Sequence, residues 1–325
     1  MKKPRLLFLS LGGTITMVPD PGGGILPRLG AAELVASVPA LADVAEIEAY
    51  SLFRLPSPSL EPGNLVDVAR RIEAAFAEGF DGAVVIQGTD TIEESAFLLD
   101  LLVPGDRPVV VTGAMRGADA PGADGPANLL AAAQVAASAA ARGLGTLVVL
   151  NDDIHAARFV QKTHTALTSA FASPLAGPLG VVAEGVVRIY ARVGRMPCLP
   201  ASAGPPLPVA LLTWAMGEDG RMLAALPGLG YAGLVLAGFG AGHVPAGVAP
   251  LLSDLAAQMP VVLATRCTTG PVFTSTYGYA GAEIDLIARG LVPAGMLAPA
   301  KARLLLGLLL REPTRNLAGA FALYD

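Results

Sequence analysis

Seven short apolar runs rich in Val, Leu and Ile constrain this chain most, at 6–11, 83–87, 109–112, 146–150, 209–213, 233–237 and 261–265. A strand with one wet face alternates apolar and polar residues. A continuous run of Val, Leu and Ile suits a strand covered on both faces, as in a parallel sheet. Between these runs lie segments with a helical period. In 64–78, Val66, Val68, Ala69, Ile72, Ala75 and Phe76 form one stripe, with Arg70, Arg71 and Glu73 opposite. Segments 125–142 and 301–311 read in the same way. Strands alternating with helices predict βαβ units, an α/β fold and a mostly parallel sheet.

A chain of 325 residues exceeds the roughly 150 expected of one domain. The composition shifts at 195–208, where five prolines fall in fourteen residues, so a stiff connector is expected there. The predicted division is a larger N-terminal catalytic parallel-sheet domain at 1–194, a linker at 195–208 and a smaller C-terminal α/β domain at 209–325. Hydrophobic residues make up 53% and charged residues only 15%, which excludes disorder. Thirty-eight glycines and 27 prolines break every apolar stretch before it reaches the length of about 18 residues a membrane helix needs. So few charges over so large a core imply that surface is buried between subunits, and a homo-oligomer is expected. A net charge of −5 argues against nucleic acid or an anionic membrane as partner. Cys198 and Cys267 have no CxxC spacing, which fits a reducing compartment. The run at 6–11, broken by Ser10, is too short for a secretion signal, so a cytoplasmic protein is expected.

In open parallel sheets, ligands bind at the carboxyl ends of the strands. The residues at those ends share a character here. The first strand runs into Gly12-Gly13-Thr14-Ile15-Thr16, the second into Gln87-Gly88-Thr89-Asp90-Thr91, the third into Gly113-Ala114-Met115-Arg116 and the fourth into Asn151-Asp152-Asp153. Each has a structural explanation as well. Gly-Gly-Thr makes a tight turn and a cap, and Thr89 to Glu94 has the look of a capped helix start. Asp124 before Gly125-Pro126 reads as another helix start. His155, His164 and His243 lack metal spacing and read as structural or peripheral. No dinucleotide fingerprint, phosphate loop or GxSxG elbow is present, so cofactor chemistry loses ground. Threonine chemistry remains. A Thr hydroxyl needs a base, and apart from Lys2 and Lys3 the lysines are Lys162 and Lys301. Lys162, in Gln161-Lys162-Thr163-His164-Thr165, reads either as a desolvated base or as a solvated loop charge.

With these residues in view, the chain resembles the bacterial-type L-asparaginase/glutaminase family along essentially its whole length. Leu9-Ser10-Leu11-Gly12-Gly13-Thr14-Ile15 is similar to the first family signature. Gln87-Gly88-Thr89-Asp90-Thr91 is similar to the second, usually His-Gly-Thr-Asp-Thr. Thr112 to Arg116, Ala123 to Leu129, Lys162-Thr163 and Ala282-Glu283-Ile284-Asp285 follow in place. The resemblance implies two α/β domains and cofactor-free, metal-free hydrolysis of a side-chain amide through an acyl-enzyme. It implies Thr14 as nucleophile, with Thr89, Asp90 and Lys162 as a proton-transferring set. Ser57, Thr89, Asp90 and Ala114 would bind a small amino-acid amide, most simply L-asparagine. A homodimer or homotetramer would let Glu283 complete the neighbour's site.

The departures bear on the substrate. The family's loop tyrosine is missing from 16–30, and the first tyrosine in the chain is Tyr50. Pro58 stands where a substrate-binding Gln is common, and Ala241 and His243 stand where Asn-Gly-Asn is usual. A related amidase acting on another amide, a lactam or an N-substituted asparagine is therefore the alternative. A non-catalytic sensor or an amidotransferase subunit is the reading from a different class. A dead sensor should have lost one of Thr14, Thr89, Asp90 or Lys162, and the chain has all four.

Overall fold

The protein is described by a computed structural model covering residues 2–19, 22, 25–27, 29–312 and 316–324. It forms two compact units, Met1–Ser202 and Ala203–Asp325. Both are α/β, the first larger and the second smaller.

In the first unit, strands Glu46–Ser51, Arg5–Ser10, Gly82–Ile86, Val109–Thr112 and Thr146–Leu150 lie side by side and parallel. Three antiparallel strands, Asp153–Ala156, Gly180–Ala183 and Val186–Ile189, extend the sheet beyond them. The inner strands are buried at every position, which is why they read as continuous apolar runs. Helix Pro62–Ala77 buries Leu65, Val66, Val68, Ala69, Ile72 and Ala75. Proline at its first position has no N–H to waste, and the Asn64 side chain accepts from the Glu61 N–H at 2.8 Å. Truncating Ile72 to Ala in such a site costs roughly 2–5 kcal/mol. Helix Ile92–Leu102 is buried over nearly its whole surface, and helix Gly125–Ala137 ends short of the expected 142 in a 3₁₀ turn, Ala139–Ala141.

Counting parallel strands along the chain, the spatial order is 2-1-3-4-5. The chain leaves Arg5–Ser10 toward one edge and returns to its other side, so the order reverses between Arg5–Ser10 and Gly82–Ile86. A crevice opens outside the carboxyl ends of two such strands.

The second unit is a four-stranded parallel sheet in the order Val209–Thr213, Gly233–Gly238, Val261–Thr265, Val292–Pro293. Helix Pro299–Leu309 begins two residues earlier than its period suggested. The proline-rich stretch expected as a connector at 195–208 is divided between the units. Its first part packs on the first unit, with Leu199 N–H donating to Leu101 O at 2.7 Å and Met196, Leu199 and Ala201 buried. Its last part joins the second, where Leu207 N–H donates to Gly307 O at 2.9 Å. Among the described residues no helix is long and apolar enough to cross a membrane.

Candidate active site

The crevice is shaped first by glycine. After Arg5–Ser10 the chain passes through Gly12 and Gly13 at φ 109° and 93°, conformations that side chains resist. A Cβ on Gly13 would lie 2.0 Å from the Gly88 nitrogen, so two strand-end loops meet backbone to backbone. Thr14 follows at once, opening the 3₁₀ turn Thr14–Thr16. Thr16 closes that turn, donating both its N–H (2.9 Å) and its hydroxyl (2.7 Å) to Gly13 O. Beyond it, Met17–Pro19 and Ile25–Pro27 pair as antiparallel strands. The sequence Pro19-Asp20-Pro21-Gly22-Gly23-Gly24 leads to the expectation of a mobile stretch closing over Thr14, and it lies outside the described residues apart from Pro19 and Gly22.

Gly82–Ile86 leads through Gln87 and Gly88 into the 3₁₀ turn Thr89–Thr91 and then helix Ile92–Leu102, with Glu93 and Glu94 in its first turn. Lys162 arrives on the short strand Gln161–Lys162, paired with Phe171–Ala172. Its Nζ donates to Thr89 Oγ1 at 2.9 Å and to Asp90 Oδ1 at 2.7 Å. Its backbone N–H donates to Glu93 Oε2 at 3.1 Å, fixing the strand to the helix start. The Lys162 side chain is 15% exposed and that of Asp90 59%, so the ammonium sits inside with its counter-charge toward water. Thr89 is buried, its hydroxyl oxygen one hydrogen bond from a nitrogen that can take or give a proton.

Ser57, buried in the 3₁₀ turn Ser57–Ser59, accepts the Asp90 N–H on its Oγ at 3.2 Å. Ser57, Pro58, Gly13, Thr89, Asp90, Met115 and Lys162 line a cavity of about 200 Å³. A larger hollow, about 470 Å³, opens beside Lys2, Lys3 and Asp81 at the amino ends of the strands, remote from this chemistry.

The third loop is held by Asp124. It stands at the start of helix Gly125–Ala137, as expected, but its carboxylate reaches back rather than capping that helix. It accepts the Met115 and Arg116 N–H groups, both at 2.9 Å. Asn128 donates to Gly113 O and to Asp124, and its oxygen accepts the Asn151 N–H at 2.9 Å. Ala114 is buried and faces a separate apolar cavity of about 140 Å³, while its neighbour Met115 lines the polar one.

Glu283 belongs to the second unit. It is buried, with Oε1 accepting the N–H groups of Thr276 (3.0 Å) and Tyr277 (2.6 Å). Its Oε2 is 3.0 Å from His243 Nε2, and the Tyr279 hydroxyl is 3.0 Å from His243 Nδ1. Burial pushes the Glu283 carboxyl up, but the Tyr277, Glu283 and Thr276 backbone bonds and the His243 bond outweigh it and leave it below the usual carboxylate range. His243, expected to be structural or peripheral, is thus the middle of a three-residue chain. The sequence marked His243 only by its place after a strand and as a departure where Asn-Gly-Asn is usual, and neither pointed to this chain. The other histidines are structural: His164 Nδ1 accepts the Ala166 and Leu167 N–H groups, and buried His155 bonds Ser173 Oγ at 2.9 Å. Among the described residues no His, Cys, Asp or Glu cluster could hold a metal ion.

Known proteins match both units. Residues 5–194 fit the model of the asparaginase N-terminal domain, and 208–318 that of the glutaminase/asparaginase C-terminal domain. The chain is similar to a probable L-asparaginase of Deinococcus radiodurans, 40% identical over 319 residues, covering 94% of this chain and 93% of that protein. It is 33% identical to an L-asparaginase of Bacillus licheniformis, with 98% of each chain covered. A solved structure, described as a probable cytoplasmic L-asparaginase from Campylobacter jejuni, matches with a TM-score of 0.89 at 33% identity, covering 98% of this chain and 99% of that one.

Proposed function

Because this chain belongs to the asparaginase family, we propose that it is an amidohydrolase converting L-asparagine to L-aspartate and ammonia through an acyl-enzyme on Thr14. The observation that carries this reading is Lys162 Nζ, within hydrogen-bond distance of both Thr89 Oγ1 and Asp90 Oδ1 on the wall of a cavity that Gly13 and Ser57 share.

In this reading the Thr14 hydroxyl attacks the side-chain carbonyl carbon. Its proton passes to the departing nitrogen, which leaves as ammonia, and water then hydrolyses the ester to release aspartate and regenerate Thr14. Lys162 serves as the base for Thr89, and Asp90 orients it. The Thr89 N–H, at a helix start, faces the developing oxyanion; losing one such donor typically costs roughly 10²–10³-fold in rate. Ser57 receives the α-carboxylate, Asp90 the α-amino group, and the Ala114 carbonyl the amide nitrogen. Glu283 of a second copy reaches the α-amino group. Within its own unit, its Oε1 accepts the Thr276 and Tyr277 N–H groups and its Oε2 faces His243.

Pro58 and Ala241 offer no side-chain hydrogen bond, which favours a second reading in which an N-substituted asparagine or another amide turns over faster. Ammonia or amine release from asparagine, glutamine and N-substituted asparagines decides between them. Asparagine is expected to be fastest, with Thr89→Val losing turnover; a Thr89→Val enzyme keeping more than about a tenth of its activity overturns the mechanism. The active form is at least a dimer, and a fully active monomer in sedimentation at assay concentration refutes that. Free Cys198 and Cys267 and the cytoplasmic description of the Campylobacter structure support a cytoplasmic location.

A further inference from the structure

Gln87 stands between the Gly82–Ile86 strand and Gly88, and its side chain is fully buried. One end of its amide lies 3.2 Å from Gly88 O and 3.1 Å from Thr91 Oγ1. A carbonyl oxygen can only accept, so the end facing Gly88 is the nitrogen. The opposite assignment would set oxygen against oxygen. Nε2 therefore donates to Thr91 Oγ1 as well. Thr91 has one hydroxyl proton, and it goes to Ser57 O at 3.2 Å. A directed chain thus runs from Gln87 through Thr91 to the Ser57 backbone.

The other end of the amide, Oε1, is buried with no partner among the described residues. An apolar side chain would avoid that penalty, so what the amide contributes here is its two donations. Ser57 is clamped from other directions too. Its Oγ accepts the Asp90 N–H at 3.2 Å, and a Cβ on Gly88 would lie 2.7 Å from that Oγ. With its acceptor side turned to Asp90, the Ser57 hydroxyl keeps its own proton to donate, and Ser57 lines the cavity.

We propose that Gln87 and Thr91 are positioning residues that hold Ser57 as a hydrogen-bond donor toward a substrate carboxylate, and so set affinity for amides that carry one. The inference rests on the reading of Ser57 as the α-carboxylate site. Neither residue touches the reacting atoms, so the effect falls on KM rather than kcat.

The test compares Thr91→Val, Thr91→Ser, Gln87→Met and Ser57→Ala by steady-state kinetics with asparagine and by product inhibition with L-aspartate. Thr91→Val and Gln87→Met are each expected to raise KM about tenfold, the worth of one neutral hydrogen bond, with kcat within about twofold. The inhibition constant for L-aspartate rises by the same factor, and Thr91→Ser, which restores the hydroxyl, returns both to wild type. A general loosening of the turn would instead lower kcat, and that result overturns the proposal. If Ser57→Ala raises KM while Thr91→Val and Gln87→Met leave it unchanged, the positioning chain fails and the carboxylate reading stands. If Ser57→Ala leaves KM unchanged, both fall. Should Thr91→Val not fold, Gln87→Met carries the same two outcomes.

Discussion

Each unit finishes a parallel sheet with a chain of polar side chains, Lys162–Thr89–Asp90 in the first and Glu283–His243–Tyr279 in the second. They are built from opposite ends. In the first, the buried root is a hydroxyl and the carboxylate is the exposed end, with the Asp90 side chain 59% exposed. In the second, the carboxylate is the root, inaccessible to solvent and held by two backbone N–H groups, and the phenol of Tyr279 is the exposed end. A charge at an open end can change partners as a reaction proceeds. A carboxylate at a closed end fixes the loop that wraps it. The first chain should therefore matter to turnover and little to stability, the second to stability first.

Lys162→Met puts the largest effect on the first half of that contrast. If Lys162 transfers the proton as proposed, its loss is expected to lower kcat by at least about 10³-fold. Stability should hardly change, because an ion pair with so exposed a carboxylate is worth about 0–1 kcal/mol. Urea unfolding alongside ammonia release checks both. A large loss of stability with activity retained would erase the distinction between the two chains.

Glu283→Ala tests the other half. It leaves the Thr276 and Tyr277 N–H groups and His243 without their acceptor in a buried place, and about 4 kcal/mol of unfolding free energy should be lost. Urea unfolding of the intact chain measures it, and a loss below about 1 kcal/mol would mean that the loop is held by something else.

What the sequence made legible follows the same physics. Val109–Thr112, Thr146–Leu150 and Val261–Thr265 are buried on both faces, so their runs are continuous and conspicuous. Glu46–Ser51 was missed because it is an edge strand, and Glu46, Glu48 and Ser51 face water between half-buried Ile47 and Ala49. The antiparallel strands after Leu150 are short and partly exposed, and left little periodicity to read. Thr89, Asp90 and Lys162 could be singled out because a capping cluster and a lone lysine are visible in one dimension. The chains through Gln87, Thr91 and Ser57, and through His243, Glu283 and Tyr279, could not. They depend on turns that bring together residues 34, 36 and 40 positions apart.

Acid separates the two units by a smaller amount. Burial lowers the pKa of His155, in the first unit, from 6.5 to about 4. Between those values the unfolded chain takes up a proton that the folded one refuses. This contribution to stability is therefore complete above pH 6.5, falls as the pH drops toward 4, and amounts to up to about 3 kcal/mol. Glu283 behaves differently. Its carboxyl is held below the usual range, so its contribution is complete above the ordinary carboxylate pKa and is lost only as the pH falls from there through that lowered value. Amide hydrogen exchange followed from pH 7 downward should show the Asp153–Ala156 strand soften before the Thr276 and Tyr277 amides. The reverse order would break the assignment of the early loss to His155.

Tyr279→Phe should have the smallest effect, and it shows where the second chain ends energetically. Glu283 accepts only, so the Nε2 that faces it carries a proton. In the neutral ring Nδ1 then accepts the Tyr279 hydroxyl. Removing that hydroxyl leaves Nδ1 without its donor, but the His243 side chain is 18% exposed, so water can replace it. The ring also keeps its edge-on contacts with Tyr277 and with the substituted Phe, at centroid distances of 5.0 and 5.5 Å in the wild type. The loss should be about 0.5–1 kcal/mol, one solvent-replaceable hydrogen bond. Nitrogen-15 shifts of the imidazole should show the proton still on Nε2, because the buried carboxylate sets it. A proton moved to Nδ1, or a loss as large as that of Glu283→Ala, would mean that the phenol, and not the carboxylate, anchors the chain.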